Sequence, residues 1–168
     1  MTTATAQGQV ARSCTALASA DLIRLITEID DNGPVPPHGP ARIFPDLTRR
    51  RIRHTIEQAH ALGLVSIRSG AGLGLTDAGL KLADFYDSTA RWARTHNYPG
   101  PTCTFITRVQ ATLQLLTPVQ GPVAAPPTAT VGAAEDLARL REALDRWIGA
   151  HWSGDEPAGV LQNLPEAA

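Results

Sequence analysis

A basic helix running straight into a glycine-tipped hairpin constrains this chain more than any other feature. Ile52, Ile56, Ala59 and Leu62 recur at helical spacing, so the segment from Thr48 to Leu62 reads as an amphipathic helix. Thr48 is placed to cap its start, and Gly63 to end it in a left-handed conformation. Two short apolar runs follow, Leu64-Val65-Ser66-Ile67 and Leu73-Gly74-Leu75, around the tip Arg68-Ser69-Gly70-Ala71-Gly72. That pattern predicts a β-hairpin. Thr76-Asp77 then opens a long helix that runs to about Thr95.

The leading end of the basic helix carries Arg49, Arg50, Arg51 and Arg53. Arginine near a helix N-terminus opposes the helix dipole, so helix stability does not account for the cluster. Between Arg42 and Arg68, six arginines stand against Asp46 and Glu57, a local charge of +4. The whole chain carries −1, so its remainder is at −5. A basic island on an acidic body is the electrostatic footprint of a polyanion partner. Lys81 is the lone lysine, so the use of Arg in this cluster follows the composition of the whole chain and is by itself weak support for phosphate recognition.

The rest of the chain reads as a largely helical body. Ser19 precedes a helix with the apolar stripe Leu22, Ile23, Ile26 and Ile29, stopped by Asn32-Gly33-Pro34. A short helix is expected over Ala41 to Phe44, another over Thr102 to Leu116, and a last one over Ala133 to Trp152. In the last, Leu137, Leu140, Leu144 and Trp147 follow a 3-4-3 spacing, the seam of a helix that pairs with another. Residues 1–18 read as a flexible arm or a loosely formed leading helix. Residues 19–98 form the predicted winged domain and 99–152 a helical dimerisation region, with a Pro-rich linker over 117–132. Residues 153–168 read as a disordered tail. Apolar content of 43% supports a core built from aliphatic residues, since aromatics make up 5%.

Several function classes lack their residues. The five histidines are scattered, with no Cys-x-x-Cys and no Gly-x-Ser-x-Gly, so no metal, cofactor or catalytic residues are expected. Asp30-Asp31 reads as a helix end rather than a catalytic pair. No run of 18 apolar residues exists and the N-terminus lacks a signal peptide's apolar region, so a cytoplasmic protein is expected. Cys14 and Cys103 read as buried inert thiols or, less simply, as a redox pair.

Arg50-Arg51-Ile52, Ile56-Glu57, Ala61-Leu62-Gly63-Leu64-Val65, Leu75-Thr76-Asp77-Ala78-Gly79 and Trp92 together resemble the bacterial MarR/HxlR-type winged helix-turn-helix regulators. The similarity covers a little under half of the chain. The chain lacks the Gly-Lys-Trp piece of HxlR-type members and their longer, proline-bearing wing. The resemblance implies a mostly α fold with a hairpin wing, and a homodimeric transcriptional regulator, a repressor in the simplest case, on double-stranded DNA. Arg49, Arg50, Arg51, Arg53 and His54 match the leading part of its recognition helix. Thr48 would donate to a phosphate, Arg42 would clamp the backbone and Arg68 would reach from the wing. Small-molecule O-methyltransferases carry similar text in a dimerisation domain, although no Gly-x-Gly-x-x-Gly is present here. The alternative is therefore a winged-helix adaptor that binds a protein partner. Trp92, Phe105, Trp147 and Trp152 lie outside the DNA-reading part and raise a further candidate partner, a small-molecule effector.

Overall fold

The computed structural model of the protein describes residues 2–117, 126 and 130–152. Among them, the chain is mostly α-helical with one small antiparallel hairpin. In order, the elements are α1 (Thr2–Leu17), α2 (Ala20–Asn32), α3 (Pro40–Ile43), α4 (Arg49–Ala61), β1 (Val65–Arg68), β2 (Gly72–Leu75), α5 (Asp77–Thr95), α6 (Phe105–Leu116) and α7 (Ala133–His151). The Pro-rich stretch falls largely on residues 118–125 and 127–129, outside the described residues, as does the tail 153–168.

Local chemistry sets the boundaries around the hairpin. The Thr48 hydroxyl accepts from Arg51 N–H at 3.2 Å and opens α4. Gly63 closes α4 at φ 69°, where a side chain would be strained. Thr76 then does three things. Its backbone N–H donates to Leu64 O at 3.0 Å, its hydroxyl donates to Gly63 O at 2.6 Å, and its oxygen accepts from Gly79 N–H at 3.2 Å. The third residue of α5, Gly79, rests on the Leu64 carbonyl so closely that a Cβ there would lie 2.1 Å from the oxygen. The Gly-Leu-Val and Leu-Thr-Asp-Ala-Gly pieces are thus two sides of one joint.

The hairpin pairs Val65 with Leu75 and Arg68 with Gly72. A third segment joins it, which the alternation of the sequence did not reveal. Val35 N–H donates to Leu73 O at 2.9 Å, and Leu73 N–H donates back to Val35 O at 2.8 Å. Gly72, at φ 91°, allows that approach, since a Cβ would meet Val35 O at 2.2 Å.

The core is aliphatic. α2 buries Leu22, Ile23, Leu25, Ile26 and Ile29, each contributing about 1.5–3 kcal/mol on leaving water. α5 runs through the centre and packs against α2, α6 and α7. Tyr86 on α5 is fully buried and donates to Leu17 O at 2.7 Å.

Of the two readings of residues 1–18, the leading helix is the one seen: α1 buries Val10, Cys14 and Leu17 in the common core. The polar run before Val10 hid a 4-3 helical spacing of apolar residues. The α7 seam is also spent inside the chain. Leu137 and Leu144 are at 0% exposure and Trp147 at 7%, with Leu140 partly buried. Trp92 Nε1–H donates to Ala133 O and Trp147 Nε1–H to Ala78 O, both at 3.1 Å. These two bonds pin α7 antiparallel along α5, one at each end. The 3-4 spacing identified an apolar stripe correctly, but its partner is this chain's own α5.

Candidate nucleic-acid interface

α3, the turn Phe44 to Thr48, and α4 form the helix-turn-helix, and the hairpin stands beside it. α4 buries Ile52, Thr55 and Ala59 and turns the opposite side outward. Arg49, Arg50, Arg53 and His54 are all exposed on that side. None of the three arginines has an ion-pair partner among the described residues, and neither does Arg42, exposed on α3. Their charges are therefore unspent. Among the described residues, the basic side chains of α4 are open to solvent.

Two arginine latches hold this element, and both use residues that sequence periodicity could not pair. Arg51 Nε–H and Nη2–H donate to the Asp21 carboxylate on α2, at 2.9 and 3.0 Å. Arg24 Nη1–H and Nη2–H donate to Asp46 in the turn, at 2.6 and 2.9 Å. The Arg24 guanidinium also lies 5.2 Å from the centroid of the Phe44 ring, a cation–π stack. Forked pairs of this kind fix direction as well as distance. They tie the start of α4 and the turn before it to α2. The Arg24 guanidinium holds the Asp46 carboxyl below the usual carboxylate range, chiefly through these hydrogen bonds.

Two residues expected at the interface are thereby reassigned. Arg51 is a strut to Asp21 rather than an unengaged reader. Arg68 folds back along its own hairpin: its Nη2–H donates to Leu75 O at 2.8 Å, and its chain crosses Gly74. The wing presents Ile67 instead, at 80% exposure. Thr48 accepts the cap bond, which leaves its hydroxyl hydrogen available to a phosphate oxygen.

Between the proline loop and α4 runs a groove of about 530 Å3. His38 and Pro37 form one wall, Arg49, Arg53 and Glu57 the other, and Ile52 and Ile56 the floor. His38 was not singled out for this role, because a lone histidine among prolines has no period to place it. Gly39 shapes the loop, since a Cβ there would come within 2.8 Å of Pro36 Cγ.

The other candidate chemistries find little. No group of three or more His, Cys, Asp or Glu among the described residues could hold a metal ion. No described helix is long and apolar enough to cross a membrane. Cys14 is buried, and burial pushes its thiol pKa up despite hydrogen bonding with Thr117. The proximity of Thr117 places Cys14 near the C-terminal end of α6, whereas Cys103 precedes the Thr104 cap at the other end. Twelve helical residues span about 18 Å, and a disulfide needs Cα atoms within about 7 Å. The two cysteines do not form a redox pair in this fold. Comparison of the chain with protein-family models, curated proteins and solved structures finds no match.

Proposed function

We propose that this protein is a sequence-specific regulator of transcription, without catalytic activity, that binds double-stranded DNA by inserting α4 into the major groove. One observation carries the reading. Four basic side chains, Arg49, Arg50, Arg53 and His54, stand exposed on one helix face, while neighbouring arginines are used to hold that helix in place. A surface helix with a merely solvated basic face has no need of such latches. Arg49, Arg50 and Arg53 would contact guanine edges and phosphates, and Arg42 and Thr48 the backbone beside them. Repression is the simplest outcome of occupying an operator. Operators with two-fold symmetry call for two copies. A homodimer belongs to the same proposal, but its interface must lie outside the α7 seam.

The test is fluorescence anisotropy with the DNA flanking the protein's own gene, at low and near-physiological salt. Binding should resist competitor DNA and weaken steeply with salt, by about 0.9 log units per log salt for each phosphate neutralised. Arg50→Ala or Arg53→Ala should weaken it by about 1–3 kcal/mol, a loss of about 5- to 150-fold. Arg51→Ala should instead lower thermal stability, because it leaves the Asp21 carboxylate, 16% exposed, without its partner. Unchanged affinity in Arg50→Ala and Arg53→Ala would refute the assignment.

The adaptor reading draws on the wing. With Arg68 folded back, the wing offers an apolar Ile67 on β1 rather than a free cation. Weak binding abolished by salt would favour that reading.

A further inference from the structure

A second cleft lies on the far side of the turn, bounded by α2, α3, α5 and the start of α6, with a volume of about 520 Å3. We propose that it binds a small amphipathic organic cation, an aromatic or branched alkyl group carrying a protonated amine. The volume suits such a molecule. The inner wall is apolar: Ile23 and Phe44 are buried, while Phe105 and Ile106 keep part of their surface open to solvent. The rim is acidic. Glu28 and Asp31 project from α2 and Asp87 from α5. Arg24 also lines the cleft, but its charge is engaged by Asp46. That leaves Arg94 to face three carboxylates.

The negative field reaches beyond the rim. The neighbouring Asp30 carboxyl is raised above its usual range, first by burial and then by Asp31, Asp84 and Asp87. A protonated amine would relieve this repulsion while its apolar part covered Phe105 and Ile106. An anion would meet the same carboxylates at a cost, and a neutral molecule would gain only the apolar contact. The site needs no DNA to exist, so the inference stands apart from the regulator reading. It would nonetheless touch the latch, since Arg24 and Phe44 belong to both.

The experiment is an amide NMR titration of the full chain with 2-phenylethylammonium, 2-phenylethanol and 3-phenylpropionate. The cation should give saturable shifts in α2, in the start of α6 and in the turn around Phe44. The alcohol should bind about tenfold more weakly and the carboxylate more weakly still. An Asp31→Asn/Asp87→Asn double variant relieves the repulsion on Asp30 and breaks no ion pair seen among the described residues, so it should fold about as stably as the wild type. It should lose about tenfold in affinity for the cation and none for the alcohol. Phe105→Ala should weaken both. Equal binding of cation and alcohol, an unchanged cation affinity in the double variant, or no saturable shift with the cation would each overturn the proposal.

Discussion

Gly79→Ala and Gly149→Ala are the same chemical change in two helices, and the structure assigns them opposite signs. At Gly79 a Cβ would lie 2.1 Å from Leu64 O and 3.1 Å from its carbonyl carbon, where ordinary contact begins at 3.4 Å. Backbone must therefore move by more than an ångström, and that backbone is committed. Leu64 O accepts from Thr76 N–H, and Thr76 caps α5. Overpacking of this kind costs about 1–3 kcal/mol, and loosening the cap about 1 more. Alanine's better helix propensity offsets about 1 kcal/mol. The net loss is about 1–3 kcal/mol. For a chain of 168 residues, at about 2–4 °C per kcal/mol, Tm should fall by roughly 2–12 °C. At Gly149, on α7, a Cβ would meet nothing within 4 Å. That variant should gain about 1 kcal/mol and melt roughly 2–4 °C higher. Thermal melts followed by far-UV circular dichroism decide the matter. A Gly79→Ala protein as stable as the wild type would show that the joint between α5 and the hairpin is not tight.

Other predictions are simpler. Tyr86→Phe removes the donor to a buried Leu17 carbonyl and should cost about 1–2 kcal/mol in urea unfolding; a neutral result would mean that water reaches that oxygen. Asp46 has a folded pKa below its usual value, so its contribution is present at neutral pH and is lost as acid titrates through the lowered value. The acid limb of the wild type's stability profile should accordingly be steeper than that of Asp46→Asn, and identical limbs would refute the latch. Cys103, partly exposed, should react with a thiol reagent well before Cys14, which is 2% exposed; the reverse order would contradict the packing of α1.

What could be read in advance depended on the range of the interaction. Caps and turns are local, so Thr48, Gly63 and Thr76 placed α4, the hairpin and α5 to within a residue or so. Amphipathic stripes located α2, α6 and α7, because period depends only on the chain itself. Period does not name a partner, which is why Leu137, Leu144 and Trp147 suggested a second chain when α5 was nearer. The latches were illegible for the same reason. Asp21 and Arg51 lie 30 residues apart, and Arg24 and Asp46 lie 22 apart. Each looked like an ordinary surface charge. Val35, a single strand-like residue between prolines, had no alternation to reveal it. The basic face was visible at once, but which of its arginines are free was not.

The seat of α1 also bears on how the molecule is made. Its last turn is held by Tyr86 of α5 and by Gln110 of α6, which donates to Ala18 O. One turn earlier, Cys14 lies beside Thr117 and within the field of Arg141 on α7. The winged unit between α2 and α5 closes through neighbours near in sequence and can assemble as it leaves the ribosome. α1 packs on α6 and α7, so its berth is complete only once both have formed. Until then its apolar side, Val10, Cys14 and Leu17, is covered only in part. A nascent protein halted before α7 is thus the species most exposed to chaperones and proteases.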